Sequence, residues 1–318
     1  MGETMNDVKI KINNCEIVAK EGEYILNIAR ANGIFIPAIC YLTRCSPTLA
    51  CKLCMVDING KRGYSCNAKA KDGMEIITDT PEIEEERRAI MEVYDINHPL
   101  QCGVCDKSGE CELQNYTLEM NVESQHYNIK DTNKVVQDWG YAKYDPALCI
   151  VCERCVTTCK DMVGSSSLTT VKRGGEELDK DIKDSMPKDA YGVWNKMNKS
   201  LIGRVENDIN CDECGECIAV CPVGALSASH FIYTSNAWEL EKIPSACSHC
   251  SVGCQLIYEV KQTSVENSDK KIYRVTNEWN YQSLCASGRF NFKFENRVEK
   301  KDEESFQKAI DAFKKADT

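Results

Sequence analysis

The chain opens with two short segments in which apolar and polar residues alternate. Residues Val8 to Ile12 alternate in this way, Asn13 and Asn14 supply turn residues, and Glu16 to Lys20 is a second extended run. This pattern is typical of a β-hairpin. The next segment, Glu23 to Asn32, places apolar side chains at helical spacing and therefore predicts a short helix.

Five more elements are predicted by the hydrophobic pattern further along the chain. They are a closing strand at Glu75 to Thr78, a charged amphipathic helix at Pro81 to Asn97, two strands at Gln255 to Lys261 and Lys271 to Thr276 joined by a turn around Glu266 to Asp269, and a charged helix at Glu303 to Lys315.

Two stretches are predicted to carry little regular structure. Gln114 to Pro146 is polar and is expected to be an irregular connection. Lys172 to Ser200 is dense in Lys, Asp and Glu behind Gly174 and Gly175, which predicts a solvated insertion. A docking loop for a partner is the functional alternative for this insertion.

Composition narrows the class of protein. The chain has 318 residues, enough for two or more domains, and 21 of them are cysteine. The polar N-terminus has no apolar signal segment, so we expect reduced cysteine ligands in the cytoplasm and not secreted disulfides.

The net charge of -10 argues against a nucleic-acid surface. No apolar run reaches the roughly 18 residues of a membrane span.

The hydrophobic fraction of 42% includes the cysteines, so the apolar core without metal is thin. We therefore expect folding and metal loading to be coupled.

Two copies of one cysteine pattern lie in the middle of the chain. Each run has three cysteines at every third position and a fourth cysteine four residues later, and Pro222 follows the second run where Lys160 follows the first. In bacterial ferredoxins such a run gives three ligands to one [4Fe-4S] cluster and its fourth ligand to the other cluster. The predicted sets are Cys149, Cys152, Cys155 and Cys221 for one cluster, and Cys211, Cys214, Cys217 and Cys159 for the other. Zinc is the simpler alternative for a Cys-x2-Cys pair, but it would need only four thiolates.

Another cysteine group follows the predicted hairpin and helix. Its predicted role is to hold a [2Fe-2S] cluster in a β-grasp, plant-ferredoxin-like domain. The predicted ligands are Cys40, Cys51, Cys54 and Cys66. Cys45 is a spare thiol in this assignment and an alternative ligand, although the plant-type spacing would then require a cysteine where Thr48 stands. Cys15, in a predicted strand, is expected to be a small buried apolar residue.

A single histidine precedes the next three cysteines. His98 is followed by Cys102, Cys105 and Cys111 at cluster spacing, and no other cysteine is near in sequence. A [4Fe-4S] cluster needs a fourth ligand, so we expect an imidazole nitrogen of His98 to supply it. A neutral imidazole in place of a thiolate removes one negative charge, and histidine ligation raises the potential in Rieske centres. A solvated or capped histidine is the alternative.

The last cysteine group comprises Cys247, Cys250, Cys254 and Cys285. The two predicted strands between Cys254 and Cys285 can return the chain so that Cys285 lies beside the first three. A fourth [4Fe-4S] cluster is the expected occupant, and a zinc ribbon is the competing interpretation.

Local motifs around these sites are specific. They are Cys51-Lys-Leu-Cys54-Met-Val-Asp, Cys111-Glu-Leu-Gln114, Cys221-Pro-Val-Gly-Ala-Leu and Ser283-Leu-Cys285-Ala-Ser-Gly-Arg-Phe290. From Val8 to about Phe290, the motifs and their order resemble the N-terminal iron–sulfur part of the large subunit of respiratory complex I. The same layout occurs in iron–sulfur subunits of NAD-linked, including electron-bifurcating, hydrogenases, formate dehydrogenases and transhydrogenases.

The resemblance implies an α+β chain of four domains. The expected domains are a β-grasp [2Fe-2S] ferredoxin domain over 1–80, a helical one-His, three-Cys [4Fe-4S] domain over 81–140, a two-cluster bacterial ferredoxin domain over 141–240 with the charged insertion 172–200, and a small β-rich [4Fe-4S] domain with a terminal helix over 241–318. The expected cofactors are one [2Fe-2S] and four [4Fe-4S] clusters.

Two departures from the family pattern bear on function. Ser287 stands where molybdopterin enzymes of the family tend to have a lysine, and the chain ends at Thr318. The large pterin-binding domain and the catalytic domain of iron-only hydrogenases are therefore not expected. The resemblance then implies an electron-transfer protein without its own active site.

The resemblance also implies partners. They are a flavin-containing NAD(P)H-oxidising subunit, a small thioredoxin-like [2Fe-2S] subunit, a module of the hydrogenase, formate dehydrogenase or transhydrogenase type, and ferredoxin. We expect the chain to be an electron-transfer subunit of such an assembly. Electron-bifurcating complexes are one kind of assembly that this expectation includes. The alternatives are an electron-input subunit of a formate dehydrogenase or hydrogenase, a catalytic subunit with its centre at Cys247 to Cys285, and a redox-sensing or assembly protein.

Overall fold

The elements follow from a computed structural model, which describes residues 6–96, 98–99, 101–130, 134–205, 210–264, 269–278 and 282–292. The helices are α1 (Ile25–Ala31), α2 (Pro81–Asp95), α3 (Glu112–Glu119), α4 (Arg154–Thr157), α5 (Lys180–Ser185), α6 (Lys188–Lys199), α7 (Glu216–Ala219) and α8 (Ala286–Phe290), with a π-helical turn at Thr158–Val163 and a 3₁₀ turn at Ala237–Glu239. The strands are β1 (Asp7–Ile12), β2 (Cys15–Lys20), β3 (Met55–Ile58), β4 (Lys61–Tyr64), β5 (Glu75–Ile77), β6 (Gln137–Asp138), β7 (Ala142–Tyr144), β8 (Leu168–Lys172), β9 (Ser200–Arg204), β10 (Leu226–Ala228), β11 (Glu241–Ala246), β12 (Gln255–Gln262) and β13 (Lys270–Thr276).

The N-terminal segments form a five-stranded sheet in the order β2-β1-β5-β3-β4. The predicted hairpin is confirmed: β1 and β2 are antiparallel, and Asn13 and Asn14 have φ of 49° and 68°, as a tight hairpin turn requires. β5 closes the sheet parallel to β1 and antiparallel to β3. The buried face of α1 packs into the same core as Ile10, Ile12 and Ile76.

Helix α2 joins this sheet to the central core. Its N-terminus is capped by Thr80, whose Oγ1 accepts a hydrogen bond from the Ile83 amide at 3.3 Å, and Pro81 occupies the first turn. Both features favour a helix start. The predicted buried face is confirmed, and Ile90, Met91 and Tyr94 are almost fully buried.

The prediction of a solvated insertion at Lys172 to Ser200 is wrong for its second half. Strands β8 and β9 pair at the ends of the segment, and α6 packs against α2. Its buried residues Ala190, Val193 and Trp194 belong to the central core. These residues follow a helical spacing of three and four, so the density of charged residues masked an amphipathic helix. Helix α5 has no buried residues and remains the solvated part.

The expectation of an irregular connection from Gln114 to Pro146 is also wrong in part. Helix α3 covers its start, and β7 pairs with β6 and β10 in a three-stranded sheet. Tyr144 at the end of β7 is completely buried. Short strands with few residues each give a weak periodic signal, which explains why the pattern did not predict them.

The C-terminal part is a three-stranded antiparallel sheet in the order β11-β12-β13. Strands β12 and β13 confirm the predicted pair. Every residue of β11 is exposed, so no hydrophobic alternation signalled this strand. Most of the predicted turn, at 265–268, and the predicted helix at 303–315 lie outside the described residues. Over the described part of the chain, every helix is too short or too polar to cross a bilayer.

Replacing Trp194 with alanine tests whether α6 is a core element. Removing this buried ring should lower the free energy of unfolding by about 3–5 kcal/mol, measured by urea unfolding of anaerobically purified protein. Lys188→Ala, at an exposed position of the same helix, should change it by about 0.5 kcal/mol or less. An equally small effect of Trp194→Ala would show that α6 does not contribute to the core.

Candidate metal centres

All 21 cysteines lie in the described part of the chain, and none of them forms a disulfide. We name five sites after their first cysteines. They are the Cys40 site (Cys40, Cys51, Cys54, Cys66), the Cys102 site (Cys102, Cys105, Cys111, with His98 as predicted fourth ligand), the Cys149 site (Cys149, Cys152, Cys155, Cys221), the Cys211 site (Cys211, Cys214, Cys217, Cys159) and the Cys247 site (Cys247, Cys250, Cys254, Cys285).

The Cys40 site is buried between two cores. Cys40 and Cys51 pack into the central core, whereas Cys54 and Cys66 pack into the core of the N-terminal sheet. The thiols interact in two pairs, Cys40 with Cys51 and Cys54 with Cys66. Hydrogen bonding from Cys51 lowers the pKa of Cys40 to about 6, and burial raises the pKa of Cys51 well above its usual value.

A buried arginine holds the loop that carries Cys51 and Cys54. Arg87, on α2, donates from Nε to the Leu53 carbonyl at 3.0 Å and from Nη2 to the Met55 carbonyl at 2.7 Å. Its Nη1 donates to Asp79 at 2.6 Å. Buried carbonyl groups need hydrogen-bond donors, so Arg87 fixes the loop to the helix that follows the N-terminal sheet.

The two ferredoxin-like runs repeat one backbone device. Val151 and Glu153 in the first run have φ of 49° and 65°, and Glu213 and Gly215 at the same positions of the second run have φ of 52° and 74°. Left-handed residues between cysteines turn successive amides toward a common centre, which suits anionic groups. In the first run the Val151 amide donates to Cys149 Sγ at 3.4 Å.

The fourth cysteine of each run lies with the other run. Cys221 lines a cavity with Cys149, Cys152 and Cys155. Cys159 lines a second cavity with Cys211, Cys214 and Cys217. The structure therefore brings together the two crossed sets that the ferredoxin spacing predicts.

Side chains around these cavities complete the sulfur environment. Burial raises the pKa of Cys149 to about 11, while a hydrogen bond with the completely buried Tyr144 acts in the opposite direction. At the Cys211 site, Cys159 Sγ accepts from the Ser167 amide at 3.2 Å and lies 3.1 Å from Ser165 Oγ. Burial raises the pKa of Cys217 to about 12.

The Cys102 site is more open. Cys102 is exposed, while Cys105 and Cys111 are partly buried and act electrostatically on each other. A Cβ atom at Gly224 would lie 2.5 Å from Cys105 Sγ, so only glycine leaves room for this thiol.

His98 is buried enough that its pKa falls to about 4, with Lys134 acting in the same direction and Asp145 against it. Ligation by His98 stays a prediction.

The Cys247 site forms at the end of the C-terminal sheet. Cys254 acts electrostatically with Cys247, Cys250 and Cys285, and the Cys247 amide donates to the Cys254 carbonyl at 2.8 Å. A Cβ at Gly288 would lie 3.5 Å from Cys247 Sγ and 3.9 Å from Cys285 Sγ. The β12–β13 pair thus returns Cys285 to the first three cysteines, as expected.

Two ion pairs, each with at least one buried partner, join the sites to one another. Arg154, next to Cys155, makes a bidentate ion pair with Glu112, next to Cys111. The distance from Arg154 Nη2 to Glu112 Oε2 is 2.7 Å. Arg289, in α8, pairs with the completely buried Glu216, next to Cys217, and its Nε donates to the Cys214 carbonyl at 2.9 Å. Sequence reasoning missed both pairs. One member of each pair, Arg154 or Glu216, stands immediately before the third cysteine of its run, and this shared position was the signal that could have indicated the pairs.

The two cysteines outside the sets differ. The expectation that Cys15 is buried is wrong: it is exposed at the start of the edge strand β2, opposite Ile12 and beside the turn, where none of the described elements covers it. Cys45 is buried, and its Sγ lies 3.9 Å from Thr158 Oγ1.

The donor sets suit iron–sulfur clusters. Free thiols gathered in apolar surroundings, with pKa values raised by burial at Cys149, Cys152, Cys155 and Cys217, are protonated until a metal displaces the protons. Among the described residues, no three or more His, Cys, Asp or Glu side chains are placed to hold a single metal ion.

The fold and these sites define a cysteine-rich iron–sulfur protein with separate ferredoxin-like regions. Three protein families match parts of the chain: the 2Fe-2S iron-sulfur cluster binding domain over residues 5–81, the NADH-ubiquinone oxidoreductase-G iron-sulfur binding region over 87–126, and the molybdopterin oxidoreductase Fe4S4 domain over 240–297.

Curated relatives narrow the family further. The chain is 33% identical over 296 residues to NADPH-Fe(3+) oxidoreductase subunit alpha of Geobacter sulfurreducens, covering 91% of this chain and 32% of that protein. It is 32% identical over 299 residues to a G-type NADH-quinone oxidoreductase subunit of Rhizobium meliloti, covering 90% and 31% respectively. The chain is therefore similar over most of its length to the N-terminal iron–sulfur region of the large, G-type subunit of complex I, and it spans about a third of the length of these relatives.

A solved structure shares the fold. A chain of an NAD+-reducing [NiFe]-hydrogenase, in its H2-reduced state, aligns with a TM-score of 0.59 and 22% identity, covering 72% of this chain and 91% of that chain.

Replacing Gly224 with alanine tests the packing of the Cys102 site. The new Cβ would meet Cys105 Sγ, so we expect about four iron atoms per chain to be lost, the content of one [4Fe-4S] cluster. Gly103→Ala, in the same loop but with open space around the new methyl group, is the matched control and should retain them. Full iron loading in Gly224→Ala would contradict the placement of Cys105.

Proposed function

We propose that the chain is a relay that carries electrons through one [2Fe-2S] and four [4Fe-4S] clusters within a larger NAD(P)H-linked oxidoreductase. The observation that carries this proposal is the use of the cysteines: all except Cys15 and Cys45 fall into five sets, and two of these sets are crossed between the ferredoxin-like runs. Catalysis at one centre would not require five sets.

The proposed ligand sets are those of the five sites, with His98 as fourth ligand of the Cys102 site. The clusters would supply one-electron oxidation and reduction without transfer of heavier atoms. The chain's own residues fix the thiolates, exclude water and tune the charge around each site. In the Cys40 site Arg87 fixes the loop, and at the Cys211 site Ser165 and the Ser167 amide lie at Cys159 Sγ.

Exposure differs among the sites in a way that suits a relay. The Cys40 and Cys149 sites are buried, whereas Cys102, Cys250 and Cys285 are exposed. Tunnelling needs short distances to a partner's centre, so we propose that exchange with partners takes place at exposed sites and that buried sites conduct between them.

We also propose the four-domain division at 1–80, 81–140, 141–240 and 241–318, with the first domain a β-grasp ferredoxin. The mixed sheet over β1 to β5 with α1 packed on it supports this division, as does the match of the 2Fe-2S binding domain to residues 5–81.

The proposed partners are a flavin-containing NAD(P)H-oxidising subunit, a small thioredoxin-like [2Fe-2S] subunit, ferredoxin, and a module of hydrogenase, formate dehydrogenase or transhydrogenase type. The names of the relatives, an NADPH-Fe(3+) oxidoreductase subunit and an NADH-quinone oxidoreductase subunit, support a nicotinamide-linked assembly. Unpaired thiols in this number suit the reducing cytoplasm, where we place the protein.

Electron input to a hydrogenase with its catalytic centre on another chain is the second candidate. The fold shared with a chain of an NAD+-reducing [NiFe]-hydrogenase favours it over a formate dehydrogenase. Identification of subunits that co-purify with the chain separates the two candidates. A flavoprotein with a hydrogenase module supports the second candidate, and electron bifurcation would require a suitable flavin site in a partner.

Metal analysis of anaerobically purified protein tests the five-cluster proposal. The proposed set predicts about 18 iron atoms per chain and a nearly equal amount of acid-labile sulfide. About eight iron atoms with stoichiometric zinc would contradict it, since zinc would then occupy at least one four-cysteine set.

Replacing His98 with cysteine tests its proposed ligand role. The cluster should stay bound, and its reduction potential should fall because a thiolate adds a negative charge that imidazole lacks. An EPR-monitored redox titration measures this change. His126→Cys, at an exposed histidine paired with Glu92, is the control and should leave every potential unchanged. Unchanged potentials in His98→Cys would show that His98 is not a ligand.

A further inference from the structure

The residue immediately before the third cysteine is buried and charged in both ferredoxin-like runs. In the first run it is Arg154, about 7% exposed, and in the second run it is Glu216, completely buried. A charge taken out of water is costly unless it is paired. Glu216 is paired with Arg289, which belongs to the neighbouring Cys247 site. Arg154 has the equivalent position in the first run, but it is close to more than one of the cysteine sites.

Arg154 lies where three sites meet. Its Nη2 donates to Glu112 Oε2 at 2.7 Å, and Glu112 directly follows Cys111 of the Cys102 site. Thr48, from the loop of the Cys40 site, donates from its hydroxyl to the carbonyl of Cys152 at 3.3 Å. Cys152 is two residues before Arg154. The loops of the Cys40 and Cys149 sites therefore touch beside the guanidinium.

The positive charge acts on both of these sites. Arg154 interacts electrostatically with the thiols of Cys152 and Cys40. Arg154 also lines the cavity that Cys149, Cys152, Cys155 and Cys221 share. A guanidinium in a site of low dielectric interacts strongly with any negative charge that forms there.

One donor of Arg154 has no protein acceptor. Its Nε is buried and makes no hydrogen bond to the described residues, although both Nη atoms bind Glu112. A buried N–H without an acceptor is costly. A sulfur atom of a cluster in the adjacent Cys149 site is the acceptor that the surroundings offer, and hydrogen bonds to sulfur are a known control on cluster potentials.

We propose that Arg154 is a positioning residue that raises the reduction potentials of two neighbouring centres, the [2Fe-2S] cluster of the Cys40 site and the [4Fe-4S] cluster of the Cys149 site. The proposal rests on the proposed relay function. Reduction of either centre adds one electron and one negative charge, which the buried guanidinium stabilises.

Charge variants of the full, cluster-loaded chain test this assignment by EPR-monitored titration of both centres. Arg154→Met should lower both potentials, with the reduced-to-oxidised ratio at fixed potential falling on the order of tenfold. Glu112→Gln should raise both potentials, because it leaves the guanidinium without its counter-charge. Arg154→Lys retains the charge and should shift them less than Arg154→Met. A merely structural ion pair would not give opposite shifts from its two partners.

Arg274→Met is the matched control. Arg274 is a partly buried arginine paired with two carboxylates, Glu110 and Glu259, but it does not lie at the Cys40 or Cys149 site. It should destabilise the protein without changing either potential.

Shifts of the same sign in Arg154→Met and Glu112→Gln, a shift at only one centre, or none in fully loaded variants would overturn the assignment. If the Arg154→Met variant does not assemble its clusters, the potentials of Glu112→Gln and Arg154→Lys test the assignment. A wild-type chain without these two clusters would instead refute the relay function itself.

Discussion

The fold depends on one constraint: distant segments must bring four cysteines to a single point in each half of the central region. Cys221 reaches the first ferredoxin-like run and Cys159 the second, so neither site can form before the whole central region is in place. Burial raises the pKa of thiols such as Cys149, which keeps an empty set protonated and uncharged. We expect metal binding to release those protons and so to couple loading to folding.

Several local features of the structure hold the cysteine-bearing loops in place. Left-handed backbone recurs at Val151 and Glu213, and in the first run the Val151 amide donates to Cys149 Sγ. Arg87 fixes the loop of the Cys40 site, and Gly224 leaves space for Cys105. The pairs Arg154–Glu112 and Glu216–Arg289 then connect neighbouring sites. The protein therefore uses buried charge to hold its sites together as well as to surround them.

Cysteine spacing predicted which cysteines the fold brings together, because ligand spacing leaves a direct trace in sequence. The crossed sets and the return of Cys285 are examples, as is the Asn13 turn, whose residue type favours left-handed backbone. The remaining features depend on tertiary packing. The buried stripe around Trp194 was hidden among charged residues, and Cys15 is exposed at the start of its strand beside the turn, although Ile17 and Ala19 further along the same strand are buried. The charge pairs join residues far apart in sequence, such as Glu112 and Arg154, which no local pattern connects.

The most direct test of the relay is the magnetic interaction between its clusters. In the fully reduced chain, the EPR signals of the clusters at the Cys149 and Cys211 sites should broaden each other, because Cys159 and Cys221 cross between the two sites. Cys214→Ser, which removes a ligand of one cluster, should abolish that broadening. Sharp, independent signals from a chain that carries its full complement of iron would contradict the account.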